Sequence, residues 1–237
     1  MTASEVAPRD AQAAARRVGW PRRLVVFVGT VLVIIAVAVL PLLTPLFIHP
    51  ALDAAGAAAR VDLDAARAYE MSDRSVWDLV TWSGEFAFEG PDGSAFYDAD
   101  ERGHLRDART LLWLFLGAGA ISALVIGIML GRSDGPGRSA VWRDISRAGA
   151  ATSIVVVVLA VISVIAFGTL FTLFHQVFFP AGNWSFDPAT QRLVQLYPFR
   201  FWQIAAGALA TLVFLLSVGA WLLGRHRARP SRPEAGP

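Results

Sequence analysis

Four apolar runs, at 24–48, 110–131, 148–174 and 201–224, alternate with segments where charges and turn residues concentrate. Each reaches the ~20 residues that a helix rising ~1.5 Å per residue needs to cross a hydrocarbon core of ~30 Å. The pattern predicts an all-α membrane protein with four transmembrane helices. The first run follows a basic start, as in a secretory signal peptide. Its apolar stretch far exceeds the ~7–15 residues of such a peptide, so it is read as a retained helix. Pro41 and Pro45 lie one turn apart and are expected to kink its outer half.

Four crossings return both termini to one side. The leader 1–23, the loop 132–147 and the tail 225–237 hold five, four and four arginines. The positive-inside rule makes all three cytoplasmic. Segment 49–109 holds 13 acidic residues against six arginines and is therefore expected outside. Alanine-rich 51–70 is helix-prone, 75–81 reads as a short second helix, and the Glu-Gly-Pro-Asp-Gly-Ser turn at 89–94 suits a hairpin between 85–89 and 95–97. This gives a small, mostly helical extracytoplasmic subdomain between helices 1 and 2. At roughly 60 residues its core is marginal, so it is expected to lean on the membrane helices.

The second outer segment, 175–200, is aromatic, and Phe178, Phe179 and Trp184 are its candidate lipid contacts. Asp187 before Pro188 reads as a helix start, with Pro198 closing that helix after about ten residues. Trp113 and Trp202, with Trp142 and Trp221 at the opposite ends, match the aromatic belts of two membrane surfaces. Gly119, Ala123 and Gly127 form a small-residue stripe that permits close helix contact. The tail beyond Gly224 reads as disordered.

Composition removes several chemistries. The chain is 55% hydrophobic and 17% charged, all 21 basic residues are arginine, and cysteine is absent. Lysine Schiff bases, thiolate nucleophiles, disulfides and cysteine-bound metals are therefore excluded. No cofactor and no nucleic-acid partner are expected. The span interiors hold almost no ionisable residue, which argues against a transporter.

Three of the four histidines, His49, His104 and His175, fall near the outer boundary, and His226 lies in the basic tail. A single boundary histidine is often only an amphipathic interfacial side chain. Co-location of several changes that reading. Glu101, His104 and Asp107 are spaced by three, so they share one face if the second membrane helix begins early. A carboxylate there fixes the tautomer of the imidazole and leaves its other nitrogen as a base. The simpler alternative is a solvated helix start with acids near the positive dipole end. His175 is the first strongly polar group after an apolar helix, a costly position unless paired or facing a cavity. Zinc ligation is disfavoured because neither His-x-x-x-His nor His-Glu-x-x-His occurs. A serine hydrolase is weaker still, since Ser75, Ser83, Ser94 and Ser185 sit in no Gly-x-Ser-x-Gly elbow.

Two blocks carry a family resemblance: Phe96-Tyr-Asp-Ala-Asp-Glu101-Arg-Gly-His104-Leu-Arg-Asp107, and Phe167-Gly-Thr-Leu-Phe-Thr-Leu-Phe-His175 continuing through Trp184-Ser-Phe-Asp-Pro188 to Tyr197-Pro-Phe-Arg-Phe-Trp202. With the span pattern they cover most of residues 20–225. The chain resembles the Lit family, four-span membrane proteins of Gram-positive bacteria that include the lipoprotein intramolecular transacylase. The resemblance implies an enzyme that moves the sn-2 acyl chain of a diacylglyceryl-modified lipoprotein to the amino group of its N-terminal cysteine. It implies two essential histidines, matching His104 and His175.

Donor and acceptor then belong to one lipid-modified peptide, so no acyl-enzyme is required. His104, oriented by Asp107 or Glu101, is the candidate base toward the amine, and His175 the candidate acid toward the departing glyceryl oxygen. The reverse assignment is equally open. Arg102, Arg106 or a backbone amide are candidate oxyanion or headgroup contacts. Two other functions compete: a non-enzymatic membrane scaffold or accessory subunit, and a metal-dependent lipid hydrolase. Whether His49 joins the centre is left open.

Overall fold

The computed structural model describes residues 9–180 and 182–229, with side chains from Trp20 onward. The side chains of Arg9, Arg16 and Arg17 in the leader, and the last residues of the tail, lie outside the described residues. Helix α1 runs Arg9–Val39, α2 Pro45–Ala55, α3 Ala57–Arg60, α4 Ala65–Thr81, α5 Ala99–Arg132, α6 Gly135–Phe178, α7 Arg192–Leu196 and α8 Phe199–Arg227. Four segments are long and apolar enough to cross a membrane: Trp20–Leu43, Ala99–Arg132, Gly135–Phe178 and Phe199–Arg227. Their apolar side chains largely face outward, with Val164 88% and Ile165 86% exposed, the arrangement of helices whose solvent is lipid. The chain is a multi-pass membrane protein.

Small residues set the helix contacts. Along α1, Gly29 lies against Ser122 and Ile126 of α5, and Gly119 of α5 against Ala36 and the Leu32 carbonyl. Gly149 and Gly224 bring α6 and α8 together backbone to backbone, and Ser146 Oγ donates to the Trp221 carbonyl at 3.0 Å. The expected stripe does not act as a unit. Gly119 is buried, but Ala123 and Gly127 are exposed on the lipid side, because α1 crosses α5 at only part of its length.

At one end of the bundle arginines cluster. Arg147 donates to Asp144 at 2.9 Å, Arg22 lies 3.8 Å from the same carboxylate, and Arg138 bonds the Leu130 and Ser133 carbonyls after the end of α5. Asp134 caps α6 by accepting from Gly137 N. At the opposite end lies the head, built from α2, α3, α4, the 82–98 segment, the first turns of α5, and α7. Its core joins Leu52, Met71, Phe86, Phe96, Tyr97, Leu105, Leu196 and Phe201.

The head differs from the sequence reading in four places, each for a local reason. Pro41 and Pro45 break the first helix rather than kink it. A 3-10 turn spans Leu40–Leu43, and Pro45, which has no N–H to contribute, opens α2. The helix-prone 51–70 segment is interrupted at Gly56, in the left-handed region at φ 66°, and at Asp62, while 75–81 joins α4 as one helix capped by Asp64. The hairpin reduces to a single bridge between Glu89 and Ala95, and among the described residues no strand forms. Pro188 starts no helix. The Asp187 carbonyl and carboxylate are spent on a closed turn with Ala189, Thr190 and Gln191, so α7 begins at Arg192, and Pro198 caps α8 instead.

Two hydroxyl pairs lock the head. Ser75 Oγ bonds Tyr97 OH and Ser72 Oγ bonds Tyr197 OH, each at 2.9 Å in the buried interior. Burial pushes the Tyr97 phenol well above its ordinary value and Tyr197 up to about 12, so both stay neutral.

Candidate functional site

Helix α5 starts early because Asp98 builds a capping box. Its carboxylate accepts from Glu101 N at 2.8 Å, while Glu101 Oε2 accepts from Asp98 N at 2.7 Å. This start adds three polar turns before the apolar stretch, and His104 sits on the second of them. Helix α6 arrives from the other end, bends at Ala166, where the backbone leaves helical geometry, and delivers His175 one turn before its end. The two rings meet in a stacked arrangement, 5.8 Å between centroids at 23°.

An aromatic wall surrounds them. Phe179 lies 4.5 Å from His104 and 5.5 Å from His175, Trp184 is 5.0 Å from His175, and Phe186 is 5.5 Å from His104. Phe171 packs on His175 at 4.2 Å from one turn earlier. The three candidate lipid contacts therefore divide. Phe178 is 38% exposed and faces outward, whereas Phe179 is 5% exposed and Trp184 is half-buried against the imidazole. The turn after α6 folds these two back over the pair.

Hydrogen bonding distinguishes the imidazoles. His175 Nδ1 lies 2.8 Å from the Phe171 carbonyl. A carbonyl only accepts, so Nδ1 carries the proton and the neutral ring keeps its lone pair on Nε2. His104 Nδ1 is buried and has no partner among the described residues.

The carboxylates expected to orient His104 are engaged elsewhere. Glu101 is 1% exposed, and its Oε1 accepts from Leu193 N at 2.6 Å, so it ties the first turn of α5 to α7. Asp107 Oδ2 accepts from Asn183 Nδ2 at 2.7 Å. Shared helical face is not shared partnership, since each carboxylate meets the segment packed above its own turn. The two arginines considered for an oxyanion also turn away: Arg106 pairs with Glu85 at 3.7 Å, and Arg102 Nε donates to the Asp98 carbonyl at 3.3 Å.

His49 stands apart from the pair. On α2, its Nε2 lies 2.9 Å from Asp73, and its ring stacks on Tyr69 at 4.1 Å and 6°. Beside it, a groove of about 820 Å³ runs along α4, lined by Tyr69, Glu70, Asp73 and Trp77 among others. Among the described residues, no group of three or more histidine, aspartate and glutamate side chains converges as metal ligands.

Two residues escaped the sequence reading. Asn183 follows Gly182, whose φ of 79° suits the turn, and it reaches α5 across the site. Arg109 is 4% exposed, donates to the Gly84 carbonyl at 2.6 Å, and lies 4.5 Å over the Trp82 ring, pinning the 82–86 segment to α5. The only sequence signal for Arg109 was an arginine one residue before an apolar run.

The sequence model of the family described as lipoprotein intramolecular transacylase Lit matches residues 24–202, well over half the chain. Among solved structures, the chain is similar to the membrane-integral lipoprotein intramolecular transacylase Lit from Bacillus cereus. The TM-score is 0.70 at 19% identity, covering 86% of this chain and 93% of that one. Forms of that protein with a histidine replaced by arginine or by alanine match at TM-score 0.69 and 20% identity, over 92% and 91% of this chain and 96% of each of theirs. No curated protein matches the sequence. At this identity the structural likeness speaks for the fold.

Proposed function

The chain belongs to the Lit family of lipoprotein intramolecular transacylases, and from that premise we propose that it moves the sn-2 acyl chain of a diacylglyceryl lipoprotein onto the α-amine of the N-terminal cysteine. The observation that carries this reading is the meeting of His104 and His175, from separate helices, inside one aromatic enclosure at a bundle end. The positive-inside rule assigns the arginine end to the cytoplasm, so the histidine end and the head face outward, where lipoproteins are anchored.

The reaction needs no acyl-enzyme, because donor ester and acceptor amine share one molecule. Aligning them lowers the barrier by about 7–11 kcal/mol, more than a proton-transfer group alone supplies. The ammonium, with a reference pKa of about 7.7–8.0, loses one proton to free its lone pair. It loses a second as the C–N bond forms and the C–O bond breaks; one of the two goes to the departing glyceryl oxygen and the other to solvent. Two imidazoles serve both transfers.

The Phe171 carbonyl on His175 Nδ1 favours His175 as the base, acting through Nε2, and His104 as the partner toward the glyceryl oxygen. This reverses the first assignment suggested by the sequence. Glu101 and Asp107 serve as positioning residues through Leu193 and Asn183. Phe179 and Trp184 exclude water from the reacting groups, and Phe178 meets the acyl chains.

The test is mass spectrometry of lipoprotein N-terminal peptides from cells with and without the protein. Transfer of one acyl group from glycerol to nitrogen, lost in both His104→Ala and His175→Ala at normal expression, supports the reading. Unchanged N-termini on adding the wild-type protein overturn it.

A further inference from the structure

Asn183 bridges the two halves of the site. Its side chain donates from Nδ2 to Asp107 on α5, one helical turn beyond His104, while its neighbour Trp184 packs on His175 of α6. A carboxylate only accepts, so the amide NH₂ is fixed toward Asp107 and the carbonyl oxygen must face the other way. That Oδ1 is buried and has no hydrogen-bond partner among the described residues, as is true of His104 Nδ1. A buried acceptor left empty costs about 1–3 kcal/mol unless something else fills it. These unfilled polar positions, at His104 and beside Asp107 one helical turn further along α5, are where a polar substrate group gains most from binding.

Resting on the transacylase reading, we propose that Asn183 contacts the substrate: its carboxamide oxygen, held by Asp107, accepts a hydrogen bond from the attacking α-amine. The amine enters as an ammonium, gives one proton to an imidazole and keeps two N–H bonds. With one of these donated to Asn183, rotation about the Cα–N bond stops, and the nitrogen lone pair is aimed at the ester carbon. As the C–N bond forms and the C–O bond breaks, the remaining excess proton passes to the glyceryl oxygen. A neutral amide suits this task. A carboxylate in the same place would stabilise the ammonium and oppose the deprotonation that attack requires. Asp107 then acts through Asn183, as a positioning residue that sets the direction of the amide.

The test is steady-state kinetics of the purified full chain in lipid vesicles with a synthetic diacylglyceryl-cysteine peptide, alongside His104→Ala. Orientation lost at the reacting centre predicts that Asn183→Ala lowers kcat by about 10- to 100-fold with KM changed less than about threefold. Asp107→Ala should fall similarly, and the double variant should be no slower than Asn183→Ala alone, because both remove one device. Asn183→Ser, which leaves the loop small and polar, guards against a folding failure, and thermal unfolding of each variant should stay near wild type. Asn183→Ala within twofold of wild type in kcat, or a double variant whose loss is the product of the two single losses, overturns the proposal while the histidine reading stands. Activity retained in His104→Ala overturns the histidine reading, and Asn183 with it.

Discussion

His104 with His175, and His49 with Asp73, are two histidine pairs in the same head, and they are built in opposite ways. His49 has a carboxylate partner at 2.9 Å, a stacked tyrosine, and side chains 27% and 45% exposed in the pair. Its ring is committed on one edge and on one face. Among the described residues, no carboxylate bonds either ring of the other pair; one imidazole is held by a backbone carbonyl and the other has a nitrogen without a partner. A satisfied imidazole is scaffolding. An imidazole that keeps a ring nitrogen unpartnered is what the proposed proton transfers require.

The largest effect expected from this contrast lies in the histidines themselves. His104→Ala or His175→Ala should lower transacylation by at least about 10²–10⁴-fold, the range of a lost proton-transfer group. His49→Ala should remain within about threefold, as befits a side chain outside the reacting groups. Product counted by mass spectrometry in one vesicle system checks all three. A His49→Ala loss as deep as the other two would erase the distinction.

Next comes the residue that joins the site to its support. Glu101 satisfies two backbone N–H groups from chain segments 95 positions apart, Asp98 and Leu193, from a buried position. Glu101→Ala strands both, and should cost roughly 2–4 kcal/mol of stability, read as a fall in the thermal unfolding midpoint. Glu101→Gln keeps one acceptor oxygen and should recover part of the loss. The expected order in both unfolding and activity is wild type, Gln, then Ala. Equal unfolding midpoints for all three would show that α7 is held by its apolar contacts alone.

A smaller effect is expected at the hydroxyl pairs. Tyr197→Phe removes one buried hydrogen bond to Ser72 and should cost about 1 kcal/mol. With the phenol held neutral by burial up to about 12, that cost should not vary between pH 6 and 9, a range about three units below its titration. Unfolding followed at several pH values checks this. A strong pH dependence of the difference would mean that the hydroxyl titrates in the folded state.

The contrast also explains what the sequence made legible. Long apolar runs made the number of spans legible, since lipid demands a long helix, although the first span ends at Leu43 where the prolines break it rather than at 48. His104 and His175 were visible as polar residues at the edges of such spans. Their partners were not, because hydrogen bonds between Glu101 and Leu193 or Asp107 and Asn183 depend on how loops fold across helix ends. Periodicity placed Glu101, His104 and Asp107 on one face, and the structure keeps them there, but a face does not say what packs above it. The same limit applies to glycine: Gly119 touches α1 and Gly127 faces lipid, although both belong to one sequence stripe. Gly149 and Gly224, which belong to no stripe, bring α6 and α8 into backbone contact.

The smallest expected effect is the sharpest test of how the two histidine pairs differ. A double-mutant cycle on His49→Ala and Asp73→Ala should give a coupling of about 0–1 kcal/mol in unfolding, because water screens a pair this exposed and the side chains lose freedom on pairing. The stacked Tyr69 ring adds contact that survives removal of Asp73, so Asp73→Ala alone should matter less than His49→Ala. Tyr69 OH itself is held by Asp53 at 2.6 Å, which fixes the ring against which His49 rests. If the cycle instead returns several kcal/mol, the pair is a buried-type interaction and the head is tighter at α2 than its exposure implies. If it returns nothing while transacylation falls, His49 contributes chemistry that its saturated surroundings deny.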